Sequence, residues 1–530
     1  MTNDDSTVDG LSVTQGWSEG GFIKGVFVIL GVGVLLPWNA FVSAKPYFQA
    51  RLCTEANGMS ANIELWFGFV YNLSSVLSLA SIILLQWWKD KKQIMTLESM
   101  EMSASFETPT TTPTDDKPLH DRNYWMIVIP LSAYLIVFFL TTLLVLFPKV
   151  PTFFFLMFTL VGLCICGVCT AFASAGIVGT AGMFPSCTGI NPYFSGQAIG
   201  GVAVSCANFM AAGMQDPRLF RETYCKEDGI RIQAAVTEDA IEKCVPYHEI
   251  DWASFSYFLL GSIVLAICIL GYSYIDKYQR STAQTSYESL AETDASRVNN
   301  GNVHESARGN IELPDQGDES SSLDEPIDPS SKALEFNDEA SDELSIACVF
   351  DAVKAPAFSI FMVFFVTLSL FPGWTSQLKS VQECSSHIRL FNDLYTPLSF
   401  VIFNFADLAG RVLSEYIHLD QFHHVSSKLV AISASRLVFF PLFLVCVARD
   451  SAYANAAFPS DLFSLLVQIV FGVGNGMVTT LSFMHAPTLL PTVAETQTRA
   501  SEILNLALSF GLLCGSISSF PFSRMATGHW

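Results

Sequence analysis

Apolar residues in this chain gather into runs of about 20 or more, each long enough to cross a bilayer as a helix, with polar stretches between them. The runs predict spans near Gly21–Gln49, Ile63–Trp88, Tyr124–Phe147, Phe153–Met183, Pro192–Met214 and Trp252–Ile275. After a long polar interruption they resume near residues 356–378, 394–418, 427–447, 459–485 and 499–521. The expected fold is an all-α membrane protein of about eleven transmembrane helices in a six-plus-five (6+5) arrangement. Residues 1–20 read as a polar amino-terminal tail, 21–275 as a first bundle, 276–345 as an acidic linker and 346–530 as a second bundle. The Thr-, Glu- and Pro-rich stretch 93–120 reads as a flexible loop. In the fourth span, Gly162, Gly167, Ala171, Ala173, Ala175, Gly176 and Gly179 are the small residues that let membrane helices approach closely.

Composition sharpens this picture. Hydrophobic residues make up 51% and charged residues 15%, against about 25% charged in a soluble protein. The formal net charge is −21, but 17 Asp/Glu and 5 Lys/Arg fall between Asp276 and Glu343, a local net of −12. More than half the charge thus belongs to the linker, whose composition predicts disorder. Basic patches for a nucleic-acid partner are lacking. The thirteen cysteines are scattered and lack metal-ligand spacing, so no metal or cofactor is expected. Cys225 and Cys244 share one polar loop and form a candidate disulfide. Basic flanks, KDKK at 89–92 and Lys277/Arg280, place those loops in the cytoplasm. The amino terminus is then also inside, and the 215–250 loop outside despite its five basic residues.

The chemistry lies in the polar residues embedded within apolar runs. The segment YTPLSFVIFNFADLAGRVLSEYI carries Asp407 and Arg411 one turn apart, with Asn404 before them. An i, i+4 spacing puts both charges on one helix face. Each costs roughly 2.5–3.5 kcal/mol at mid-membrane depth, so the pair must face protein or water. Two readings stand: an ion pair that clamps helices, or a polar subsite for a hydrophilic ligand. Trp38 and Asn39 follow Pro37, which frees backbone groups that lipid cannot satisfy. Gln197 and Asn475 complete the inventory, while His485 reads as structural. Amides, a carboxylate, a guanidinium fork and an indole suit a neutral ligand with a ring and hydroxyls. The chain shows no nucleophile–base–acid set, so it reads as no enzyme, and no GxxxxGK[ST] that would cradle ATP.

With those residues in place, the sequence resembles the equilibrative nucleoside transporters. The matching pieces are LGVGVLLPWNAFVSAKPYF (30–48), FPSCTGINPYFSGQAIGG (184–201), FNFADLAGR (403–411) and FGVGNGMVTTLSFMHAP (471–487) followed by Glu495. The resemblance implies a major-facilitator-like fold, its two bundles holding the substrate between them by alternating access, facilitative or proton-coupled. It implies nucleosides, and nucleobases as a further class, as small-molecule substrates, and the lipid bilayer as surroundings, with the plasma membrane favoured. Trp38 and Asn39 would line the cavity, Gln197 would bond the nucleobase, and Asp407 with Arg411 would hold ribose hydroxyls or the base. One departure is TQTRASEIL after Glu495, where the family has small residues; Arg499 and Glu502 stand there instead. The competing readings are a major-facilitator-like carrier of another polar solute, such as a sugar, and a multipass receptor or scaffold working through its acidic linker.

Overall fold

The computed structural model describes residues 8–52, 63–103, 119–214, 217, 218, 220, 225, 251–304, 345–448 and 460–527. Helices α1 (Val8–Ser43), α2 (Ile63–Ser103), α3 (Leu119–Val145), α4 (Thr152–Ala181), α5 (Ile190–Met214) and α6 (Trp252–His304) precede the linker. After it come α7 (Ile346–Leu370), α8 (Tyr395–Leu413), α9 (Val425–Ser435), α10 (Asp461–His485) and α11 (Ala494–Thr527). A 3₁₀ turn, Arg436–Val438, and a short helix, Phe439–Leu444, carry α9 onward. Ten of the described helices are long and apolar enough to cross a membrane. The remaining span is α8, whose 19 residues reach about 28 Å at 1.5 Å per residue. The chain divides by contact into two compact units, residues 1–273 with 344–530, and residues 274–343. All spans but the end of α6 belong to the first.

Several boundaries differ from expectation for local reasons. Helix α7 begins at Ile346, about a turn and a half before charged Asp351 and Lys354, where hydropathy had deferred the span to residue 356. Those two charges pair with each other at 2.6 Å on an exposed face, and Ser345 caps the helix by accepting from the Cys348 N–H. Helix α2 continues to Ser103 because QIMTLESMEM is built of good helix formers; the rest of the expected loop, 104–118, lies outside the described residues. Likewise α6 runs on to His304. The expected disorder of the acidic linker falls on residues 305–344 for the most part, outside the described residues.

Each half has an aromatic core. In the first, Phe41 sits among Phe48, Phe67, Phe138 and Phe258, with ring centroids 5.6–6.2 Å apart. In the second, Trp374, Phe403, Phe439, Phe443 and Phe471 share one buried cluster. The Trp374 indole donates to the Phe443 carbonyl at 3.2 Å, so the polar edge of that ring is satisfied inside the core. The halves meet where α5 packs on α8 and where α11 packs on α2 and α4.

Covalent and polar links fasten both ends of this contact. Cys225 is bonded to Cys384, not to Cys244, which corrects the expected pairing within one loop; Cys244 lies outside the described residues. The partner is 159 residues away in sequence, a distance over which loop proximity carries no information. At the same end Arg389 donates to the carbonyls of Ala212 and Gly213, at the close of α5, at 3.0 and 2.8 Å. Asp393 in turn accepts from Arg389. At the opposite end, which carries KDKK, Asp90 of α2 accepts from Arg499 of α11 at 3.2 Å and from the Ile346 N–H at 2.8 Å.

Candidate functional site

Helices α8 and α10 approach at their glycines. A Cβ at Gly410 would fall 2.2 Å from the Val473 carbonyl, and one at Gly476 would fall 2.0 Å from that of Asp407. Only glycine permits such backbone contact. The approach carries Asn475 up to Asp407, and the Asn475 Nδ2 donates to Asp407 Oδ1 at 2.6 Å. The second carboxylate oxygen, Oδ2, accepts from Arg411 Nε at 2.9 Å. Both side chains are buried, each residue 6% exposed, and neither faces lipid alone, which is how two charges persist within a span.

From Arg411 the network crosses to α5. Its Nη1 donates to the Phe194 carbonyl at 3.0 Å and to Gln197 Oε1 at 3.3 Å, and the Asn191 amide donates to the Arg411 carbonyl at 2.8 Å. Gln197 Nε2 donates to Tyr193 Oη, whose hydroxyl donates to Ser174 on α4. The predicted Gln197, Asp407 and Arg411 therefore form one hydrogen-bonded set joining the two halves. Gln197 is half-buried, so its amide edge stands at the margin of the set.

Asn39 and Asn404 lie near the same column of α5. A Cβ on Gly200 would come 3.8 Å from Asn39 Nδ2, and one on Gly201 would come 2.6 Å from Asn404 Oδ1. Gly200 and Gly201 follow Gln197 by three and four positions, which stacks these amides over the same helix face. Asn39 Nδ2 is buried and has no hydrogen-bond partner among the described residues. Such a donor costs about 1–3 kcal/mol. Trp38 is placed differently: its ring leans on Tyr71 of α2 at a centroid distance of 5.2 Å, beside Gly68. His485 is held by Ser426 at 2.9 Å on Nε2 and by Thr488 on Nδ1, in keeping with a structural role.

The set places hydrogen-bond donors and acceptors where the two half-bundles meet, and among the described residues no cluster of His, Cys, Asp and Glu could hold a metal. A family model described as "Nucleoside transporter" matches residues 241–524, more than half of the chain.

The chain belongs to the nucleoside transporter family.

It is accordingly a multi-pass membrane transporter for nucleosides and not an enzyme. The chain is 25% identical to equilibrative nucleoside transporter 2 of Homo sapiens over 516 residues, covering 94% of this chain and 96% of that one. Equilibrative nucleoside transporter 1 of Homo sapiens is also 25% identical, with the same coverage. Nucleoside transporter FUN26 of Saccharomyces cerevisiae is 24% identical over 94% of this chain and 83% of its own length. Among solved structures, the E. coli fucose:proton symporter aligns over 96% of each chain at 10% identity and a TM-score of 0.43. That likeness is too loose to carry an argument.

Two groups in this transporter escape a reading in chain order. Arg436 is a second buried arginine, 3% exposed, in the 3₁₀ turn that follows α9. Its Nη2 donates to Thr367 Oγ1 at 3.1 Å, and Thr367 donates to Asn475 Oδ1 at 2.7 Å. The signal was present: an arginine in the middle of an apolar run is as costly there as in α8. The other group is the departure at the start of α11. Arg499 pairs with Asp90 and with Glu495, and Glu502 accepts from Gln86 of α2 at 2.8 Å. Charge at this helix start is matched across the halves; only the identity of the partners was hidden.

Proposed function

We propose that the transported nucleoside is held between α1, α5 and α8, with Gln197, Asp407 and Arg411 as its polar contacts and Asn39 and Trp38 on the facing helix. The observation that supports this most is the Gln197–Arg411–Asp407 hydrogen-bond line, because it joins the two halves that must separate during alternating access. A nucleoside entering there exchanges the Gln197–Arg411 contact for its own. The Gln197 amide suits a base edge that both donates and accepts, and the Asp407–Arg411 pair suits vicinal hydroxyls of a ribose. The unpartnered Asn39 amide supplies a further donor to a base carbonyl or a hydroxyl. Trp38 supplies an aromatic face from its place beside Tyr71. Nucleobases fit the same amides without the ribose contacts.

We place the carrier at the cell surface; the Cys225–Cys384 disulfide fits that, since such bonds persist on the oxidising side of a membrane, extracellular or lumenal. Surface biotinylation checks that assignment; a carrier confined to internal membranes would contradict it. The ligand assignment is tested by competing labelled uridine uptake with ribose and 2′- or 3′-deoxyribose nucleosides, in wild type and in Asp407→Asn. A ribose contact at Asp407 predicts a deoxy penalty in wild type that shrinks in Asp407→Asn, the non-additivity expected of groups in contact. Equal penalties in both proteins would leave the pair as a clamp between helices.

A further inference from the structure

Arg436 carries a function that its place in an apolar turn does not explain. Its guanidinium is enclosed by the rings of Phe471 and Phe439, with centroids 4.8 and 5.6 Å from Cζ. Nη1 donates to the Phe471 carbonyl at 3.2 Å, while Nε is buried with no acceptor among the described residues. A residue kept only to tie helices together would not need an unsatisfied buried donor; an apolar side chain of similar volume would pack there at lower cost. The facing helix makes room for it. A Cβ on Gly474 would fall 2.7 Å from Nη1.

The directions of the hydrogen bonds show what the charge reaches. Arg436 donates to the Thr367 oxygen, and the single Thr367 proton has two acceptors at 2.7 Å, the Val363 carbonyl and Asn475 Oδ1. The Val363 carbonyl lies within the backbone ladder of α7, whereas Asn475 Oδ1 has no other donor among the described residues and would face the Thr367 oxygen lone pair to lone pair without that proton, so the proton goes to Asn475. That bond sets which way the Asn475 amide lies, with Nδ2 turned to Asp407. Asp407 then accepts from both sides, from Asn475 at the rear and from Arg411 at the front. In charge, the set holds two guanidinium groups and one carboxylate, 2 − 1 = +1.

We infer that Arg436 is a positioning residue for substrate binding. Acting through Thr367 and Asn475, it keeps Asp407 Oδ1 turned to Asn475, so that the carboxylate meets Arg411 through Nε alone and Arg411 Nη2 stays available to an oxygen of the ligand. This rests on the reading of Asp407 and Arg411 as ligand contacts. Arg436 itself touches no ligand. Arg436→Gln removes the charge and the fork, Arg436→Lys keeps the charge alone, and Thr367→Val cuts the relay while leaving every charge in place.

The test is the KM for uridine and the deoxy penalty in these variants, each normalised to folded carrier, alone and combined with Asp407→Asn. Arg436→Gln and Thr367→Val are each expected to raise KM about 5–50-fold, the range for coupled neighbours in one network. Arg436→Lys should fall between them and wild type. In the Asp407→Asn background neither change should raise KM further, which a purely structural role would not produce. Normal KM in folded Thr367→Val, or effects that multiply with Asp407→Asn, would overturn the inference. Where Arg436→Gln does not fold, Thr367→Val decides alone. If Asp407→Asn by itself leaves KM and the deoxy penalty unchanged, the ligand reading has failed. If it alters them and the Arg436 relay does not, only this inference has failed.

Discussion

Breaking the Asp90–Arg499 pair tests whether the KDKK end works as a latch between the halves. The two side chains are 16% and 9% exposed and meet at 3.2 Å. A fully exposed pair would contribute about 0–1 kcal/mol, and a buried charge stripped of its only partner would cost roughly 3–5 kcal/mol. Asp90→Asn lies between these limits. Arg499 keeps Glu495 at 3.4 Å, and an Asn side-chain oxygen can still accept from the Ile346 N–H. The expected loss is about 1–2 kcal/mol from the closed state, a 5–30-fold shift toward opening at that end. The assay uses Ser501→Cys. Ser501 is 2% exposed and donates to the Ala175 carbonyl at 2.6 Å, so it is covered by α4 when the end is closed. An impermeant thiol reagent is applied to the KDKK face of membrane vesicles, and labelling of residue 501 is followed by mass. Asp90→Asn and Arg499→Gln should each speed labelling by that factor, and the double variant should gain little more. Unchanged rates, or single effects that multiply in the double variant, would refute the latch.

Other outcomes follow from single contacts. With a protease site inserted between Ser320 and Ser321, the cut halves should migrate together without reductant and separate with it, because Cys225–Cys384 spans them; separation without reductant would contradict that pairing. Asn39→Ala should leave thermal stability equal or higher, since it removes an unpartnered buried donor, while weakening uridine uptake in proportion to folded carrier; a marked loss of stability would contradict this. Gly476→Ala should cost about 1–3 kcal/mol of stability as α10 is pushed from α8, read as a lower Tm. An unchanged Tm would show that the helices can separate freely there.

Much of the architecture was legible because a span needs a long apolar run, and nearly every run stands alone in the sequence. Helix α8 was legible through its charges, since Asp407 and Arg411 one turn apart can be buried only together. Gln197 could be placed beside them only once α5 and α8 were known to pack. Boundaries failed where charge sits inside a helix. Lys354 pairs with Asp351 on its own helix, and Arg499 with Asp90 on another, so hydropathy alone moved both helix starts inward. The charge of Arg436 stood out within its apolar run, but its partners, Thr367 and the Phe471 carbonyl, come from two other helices and could not be read there. Cys225 was given the nearer of two cysteines because nothing local points to Cys384.

Carriage of nucleosides by this chain alone is measured with purified protein in sealed vesicles. Labelled uridine should enter saturably without ATP, and adenosine should compete while glucose should not. Asp407→Asn, folded to the same extent, should lose most of that uptake. Uptake that glucose inhibits and adenosine does not, or uptake indifferent to Asp407, would contradict the account.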